Sequence, residues 1–177
     1  MPQPSSDDLH ACRALLRSGS RSFFLASLLL PSRVHRPATA LYAFCRVADD
    51  LIDGAGSPRA GLAELHCRLD AIYAGMPHPH APDRALATVV ARHAIPRTVL
   101  DALLEGFAWD AAGRQYETLQ DLEAYAVRVA GTVGAAMAVL MGARSAEAVA
   151  RACDLGMAMQ LSNIARDVGE DARAGRG

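Results

Sequence analysis

The stretch "RPATALYAFCRVADDLID" (36–53) limits what this chain can become more than any other. It carries Asp49, Asp50 and Asp53 at the end of a run that is otherwise largely apolar. Apolar residues recur there at three- and four-residue intervals, which predicts a helix with one buried face. Carboxylates bordering a buried face are costly unless something compensates them. The acidic end therefore either reaches solvent or faces a cation, and a cation site needs ligands from elsewhere in the chain.

Those ligands stand in "LGMAMQLSNIARDVGEDARAGR" (155–176). Asn163, Asp167 and Asp171 are spaced four apart, and each step of four on a helix turns about 40° and rises about 6 Å, so the three oxygens share one face. Gln160 precedes Asn163 by three, on the same side, and Asp49 and Asp53 are likewise four apart. Hard oxygen donors without His or Cys suit Mg²⁺, with Mn²⁺ as the alternative. Arg46 lies three before Asp49 and Arg166 directly before Asp167, while Arg21, Arg173 and Arg176 add further cations. Carboxylates interleaved with arginines point to a metal-bound polyphosphate. Either cluster alone reads best as a solvated helix face; two clusters with apolar neighbours favour a metal–diphosphate site between two helices.

The rest of the chain is helical in pattern. No alternation of Val, Ile and Thr lasts long enough for a strand, so the expected class is all-α. Helices are predicted over 6–18, 37–53 (opened by Pro37, closed by Gly54 and Gly56), 58–74, 83–93, 96–112, 119–142 and 146–171, with an apolar segment over 20–30 stopped by Pro31. Thr118 with Asp121 resembles a capping box, Ser145 suits a cap, and "GMPHPHAPD" is too rich in proline to be anything but a loop. His78 and His80 in that loop read as surface residues, and Trp109 and Asp110 as packing or capping residues. Whether Arg114 and Tyr116 border the cavity stays open. Met157 and Met159 read as core-facing filler.

The 177 residues suit one domain, 1–177, and 51% are hydrophobic, enough for a real core. A net charge of −1 argues against nucleic acid as a partner. The four cysteines form no CxxC and read as reduced core thiols, which fits a cytoplasmic location. The N-terminus lacks the features of a signal peptide. The longest uncharged apolar runs, 22–31 and 131–143, fall short of the roughly 20 residues of a spanning helix. Gly131 and Gly134 each cost about 1 kcal/mol against Ala in a helix. Either a lipid tail or a closely packed helix needs their space.

With these motifs in view, the chain resembles the squalene/phytoene synthase family of head-to-head prenyl transferases. "GSRSFFLASLLLP", "ALYAFCRVADDLID", "YAVRVAGTVGAAMAVL" and "LGMAMQLSNIARDVGEDARAGR" occur in the family's order, across residues 19 to 176. The resemblance implies an isoprenoid-synthase-type helical bundle around a central apolar cavity. It implies metal binding by Asp49, Asp53, Asn163, Asp167 and Asp171. It implies diphosphate contacts from Tyr42, Arg46, Arg21, Ser22, Gln160 and Arg166, and a cavity wall including Tyr125 and the small residues of "AGTVG". Tyr42, Arg46 and the four aspartates Asp49, Asp53, Asp167 and Asp171 are the expected catalytic set.

The wording is nearest to bacterial phytoene synthases. The implied reaction joins two geranylgeranyl diphosphates, through a cyclopropylcarbinyl diphosphate, to phytoene, without NADPH. The alternatives are a squalene or dehydrosqualene synthase using farnesyl diphosphate, and a non-catalytic relative. Greasy substrates imply peripheral membrane contact; oligomeric state is left open. Two departures stand out. Ala126 replaces a cysteine common in the family, and the chain stops at "GRG" where members continue with further helices. The expectation is thus a truncated chain whose pocket is open on one side and whose activity is impaired.

Overall fold

Helices occupy the segments that the periodicity marks. The computed structural model describes the backbone of residues 4–53 and 57–173; the side chains of 21, 22, 53 and 169–173 lie outside the described residues. In order come α1 (Ser6–Gly19), α2 (Arg21–Ser27), α3 (Ser32–Asp53), α4 (Pro58–Tyr73), α5 (Ala81–His93) and α6 (Arg97–Ala111). Then follow α7 (Leu119–Ala126), a π-helical turn (Val127–Gly131), α8 (Thr132–Met141) and α9 (Ala146–Arg173). Among the described residues there is no strand.

The caps follow local chemistry. Ser5 and Ser20 accept from Asp8 and Phe23 N–H groups, and Thr118 and Asp121 form the reciprocal capping box. Ser145 Oγ accepts from the Ala148 N–H at 3.2 Å. Two boundaries differ from the sequence reading. Helix α3 begins at Ser32, five residues before Pro37, because the Val34 and His35 N–H groups already close on the Pro31 carbonyl. Helix α5 begins at Ala81, two residues before the expected start at Asp83, and so takes in Pro82; a proline in the first turn forfeits only an N–H that has no intrahelical acceptor. The expected stops at Gly54 and Gly56 lie outside the described residues.

Helix α3 packs on α1, α4 and α5 and reaches α6 and α8. Its Ala40, Ala43 and Ala48 are fully buried beside Phe44, so small side chains let the neighbours approach. Leu65, Leu69, Leu86, Leu100, Leu103 and Leu104 complete the centre of the core. Within this apolar surrounding lies one bidentate ion pair: Arg68 Nε and Nη2 donate to Asp83 Oδ2 and Oδ1 at 2.9 and 2.6 Å, with both side chains almost wholly buried. It pins α5 to α4. The cysteines are free, as read, but Cys67 is exposed on α4 rather than a core thiol. Burial pushes the Cys12 and Cys45 thiols up to about 12.

Helices α7 and α8, with the π turn, run without a break from Leu119 to Met141, and α9 folds back along them. Contrary to the uncharged-run argument, this 23-residue stretch is long and apolar enough to cross a membrane by length and composition. The run of 131–143 was only its second half. Here the stretch packs against α6 and α9.

The return of α9 is backbone on backbone. A Cβ on Gly134 would stand 2.2 Å from the Ala152 carbonyl oxygen, and one on Gly156 2.3 Å from that of Ala130. Of the two readings of Gly131 and Gly134, close packing is what the geometry shows: Gly131 likewise faces Cys153 Sγ. Met157 and Met159 part company, Met159 being 55% exposed. Two residues apart on a helix is about 200°, so both cannot face the core.

Two stability experiments follow from this packing. Asp83→Ala leaves a buried guanidinium uncompensated and is expected to cost about 3–5 kcal/mol in urea unfolding, whereas Arg68→Met with Asp83→Leu recovers most of it. Equal losses in the single and double variants would sink that account. Gly134→Ala and Gly156→Ala are each expected to cost about 1–3 kcal/mol through forced separation of the helices. Unchanged melting would show that the approach is looser than described.

Candidate functional site

Helix α3 presents the first stripe. Arg46 Nη1 lies 3.2 Å from Asp49 Oδ2 and its Nη2 lies 2.6 Å from Asp50 Oδ1, so one guanidinium holds two carboxylates. All three side chains are between 39% and 52% exposed, and pairs of that kind contribute only about 0–1 kcal/mol to folding. The arrangement is therefore easily reorganised by a ligand. Asp50 was not among the expected site residues; its place four residues after Arg46 was the available signal. Asp53 ends α3, but its side chain lies outside the described residues, as do those of Arg21 and Ser22 at the start of α2 and Asp171 and Arg173 on α9; all of Arg176 lies outside them.

Tyr42 stands one turn before Arg46, its ring 6.0 Å from that of Phe23. A Cβ on Gly19 would sit 2.6 Å from the Tyr42 hydroxyl and 3.3 Å from Arg46 Cδ. Gly19, the last residue of α1, thus seats the phenol and the arginine stem against the end of that helix. Burial, foremost, keeps the Tyr42 phenol protonated above the usual tyrosine range.

Helix α9 presents the second stripe. Gln160 is half-buried, while Asn163, Arg166 and Asp167 are exposed. Arg166 Nε and Nη2 both reach Asp167 Oδ1 at 3.2 Å. Leu155 and Val168 on the same helix are 63% and 64% exposed, as Phe23 and Leu25 on α2 are at 61% and 63%. Among the described residues no three His, Cys, Asp or Glu side chains converge into a metal cluster. The chemistry of the donors still fits a hard divalent cation: oxygen ligands at helical spacing on α3 and α9, with weakly held arginine partners.

Tyr125 stands on α7, which packs on α9. Its hydroxyl donates to Asp110 Oδ2 at 2.9 Å. Burial is the largest cause that raises its pKa, followed by Asp110, then Tyr116 and Asp49. The field of Asp49 therefore reaches it from α3. The antiparallel contacts of Gly134 with Ala152 and of Gly156 with Ala130, continued along the chain, bring Tyr125 about level with Gln160 on α9.

A cluster that the sequence had left unassembled supports Tyr125 from behind. Trp109 lies between two guanidinium groups, Arg114 at 3.8 Å and Arg128 at 4.2 Å from the ring centroid. Tyr116 bridges the rings of Trp109 and Tyr125, at 6.4 and 5.0 Å. Arg128 Nε pairs with Glu105 Oε2 at 3.0 Å, and Nη1 donates to the Ala124 carbonyl. Trp109 does pack, as read, but against cations; the signal was the set of Arg114, Tyr116, Tyr125 and Arg128 downstream. His80 is the N-cap of α5, far along the chain from either stripe.

Comparison with known proteins fits this geometry. The squalene/phytoene synthase family model matches residues 16–177. The phytoene synthase of Rhodobacter capsulatus is 60% identical over 172 residues, covering 96% of this chain and 51% of that protein. That of Cereibacter sphaeroides is 52% identical, covering 97% and 51%. Among solved structures, a dehydrosqualene synthase in complex with ligand aligns with a TM-score of 0.85 at 40% identity, covering 97% of this chain and 60% of that one. The squalene synthase HpnC from Alicyclobacillus acidocaldarius gives 0.86 at 29% identity, covering 96% and 65%. The fold is thus the all-α type of the isoprenoid synthases. The chain belongs to the squalene/phytoene synthase family. It spans about half the length of these two phytoene synthases.

The Asp110–Tyr125 contact is open to titration. Asp110 holds the Tyr125 phenol up, so Asp110→Asn is expected to lower that phenol's pKa, read as earlier tyrosinate absorbance in a pH titration of wild type and variant. A titration unchanged by the substitution would remove Asp110 as a holder of Tyr125.

Proposed function

We propose that this chain carries the metal- and diphosphate-binding face of an enzyme that condenses two geranylgeranyl diphosphates head to head into phytoene. The observation that carries the reading is the place of Tyr125, held by Asp110, within the field of Asp49 and beside the α9 stripe. The names of the relatives at 60% and 52% identity favour the phytoene branch over the squalene one.

In this reading Asp49 and Asp53 on α3, and Asn163, Asp167 and Asp171 on α9, hold divalent cations, Mg²⁺ being the expected ion. When bound, a divalent cation neutralises charge on a departing diphosphate. Arg46 and Arg166 exchange their weak carboxylate partners for phosphate oxygens, with Gln160, Arg21 and Ser22 as further contacts. Tyr42 stays protonated and donates a hydrogen bond toward the diphosphate, while Tyr125, whose one O–H is held by Asp110, forms part of the cavity wall. Apolar side chains such as Phe23 and Leu155 face the prenyl chains and keep water from the carbocation. Ionisation of the first diphosphate lets the two prenyl units join, with loss of a proton, as a cyclopropylcarbinyl diphosphate. Its own ionisation, rearrangement and loss of a second proton give phytoene. Nothing in that balance requires a reductant.

The test is incubation with radiolabelled geranylgeranyl or farnesyl diphosphate and Mg²⁺, with and without NADPH, followed by analysis of extracted hydrocarbons. A C40 product without NADPH is expected, and Asp49→Asn or Asp167→Asn is expected to reduce it on the order of 10²-fold or more. A C30 product from farnesyl diphosphate alone would transfer the reading to the squalene branch. Absence of both product and Mg²⁺-dependent diphosphate binding would end it.

A further inference from the structure

On the opposite end of α3 from its aspartates, a cavity of about 270 Å³ opens between the first turns of that helix and the last turn of α5. Ser32, Arg33, Arg36, Thr88, Arg92 and His93 line it, and no carboxylate does. Six arginines elsewhere in the chain, Arg46, Arg68, Arg84, Arg97, Arg128 and Arg166, have acidic partners. Among the described residues no carboxylate pairs with Arg33, Arg36 or Arg92.

The positive potential leaves a trace on nearby imidazoles. His93 is shifted down by burial first and then by Arg92 and Arg144; His35 is shifted down by burial, then by Arg13 and Arg36. The N-terminus of the 22-residue α3 adds the positive end of its dipole. The carbonyl end of α5 offsets part of the charge of Arg92, which leaves Arg33 and Arg36 as the principal cations. Three planar guanidinium groups lining one cavity, with the Ser32 hydroxyl beside them, match the tetrahedral oxygens of a phosphoryl group; Pro4, Pro37 and Val89 complete the lining, and the Thr88 hydroxyl is donated to the Arg84 carbonyl.

We propose that this cavity is a second anion site, separate from the carboxylate stripes, that takes a phosphate-bearing ligand through Arg33, Arg36 and Arg92. Such chemistry has two sources here: a free diphosphate, or the headgroup of an anionic lipid. Leu28 and Leu29, 49% and 87% exposed in the turn just before Ser32, would meet the acyl region in the second case.

The probes are inorganic diphosphate, by calorimetry in EDTA so that metal-dependent binding at the stripes is silent, and phosphatidylcholine vesicles with and without phosphatidylglycerol, by sedimentation. Arg33, Arg36 and Arg92 are exposed, so Arg36→Gln and Arg92→Gln are expected to fold, with circular dichroism as the check. Each is expected to weaken binding about tenfold, the worth of one charged hydrogen bond, and Asp49→Asn to leave it unchanged. Saturable diphosphate binding lost in the arginine variants supports the site with free phosphate as its ligand. Recruitment to phosphatidylglycerol alone, lost in the same variants, supports it with lipid as the source. Binding to neither probe overturns the proposal, and so does binding that Arg36→Gln, Arg92→Gln and the charge reversal Arg33→Glu all leave intact.

Discussion

Helix α9 can lie where it does only because its backbone meets the backbone of the helix before it. Gly134 receives the Ala152 carbonyl and Gly156 receives that of Ala130, each at a distance no Cβ could share. Separation of two ordinary helices is set by side chains at about 8–10 Å between axes; removing those at the contact lets them close further. The contact also fixes register, since a glycine must meet each carbonyl. Register in turn decides that Gln160 lies about level with Tyr125, and so where the second stripe of oxygen donors lies. A shift of one turn would carry that stripe about 5 Å along the chain.

The same economy governs charge. Where a pair has only to hold helices together, it is buried and bidentate, as in Arg68 with Asp83. Along the α3 and α9 stripes the pairs are half-exposed and single-handed, as in Arg46 with Asp49 and Asp50 and Arg166 with Asp167. Buried pairs are expensive to break and serve structure; exposed pairs exchange at little cost and leave their partners available. The Trp109 sandwich lies between these limits, placing two guanidinium groups on one ring while Tyr116 carries the packing on to Tyr125.

Much of this was legible beforehand. Apolar periodicity, caps and helix-stopping residues located each helix to within a few residues, because those signals act within one or two turns. The errors came where distant groups decided. Asp83, read only as the first residue of a helix beside prolines, is fully buried because Arg68 waits for it on α4. Cys67 and Met159 looked apolar enough for the core but fall on outward faces. For the site, spacing put Asp49 and the Asn163–Asp167 pair on helix faces, and the family resemblance pointed to Tyr125. It did not reveal that Asp110 holds that phenol, or that Gly19 makes room for Tyr42 and Arg46, since neither partner is adjacent in sequence.

The sequence by itself therefore determined the helical class, the order of the elements, the two oxygen-bearing stripes and the family those motifs mark. Each of these rests on side-chain type and short spacing, which the chain carries in any conformation. Tertiary structure alone decided which glycines serve contact rather than space and which arginines are spoken for. It also decided which carboxylate holds Tyr125. Those depend on close approach between residues far apart in the chain, and close approach is a property of packed helices, whose register and separation no local pattern encodes.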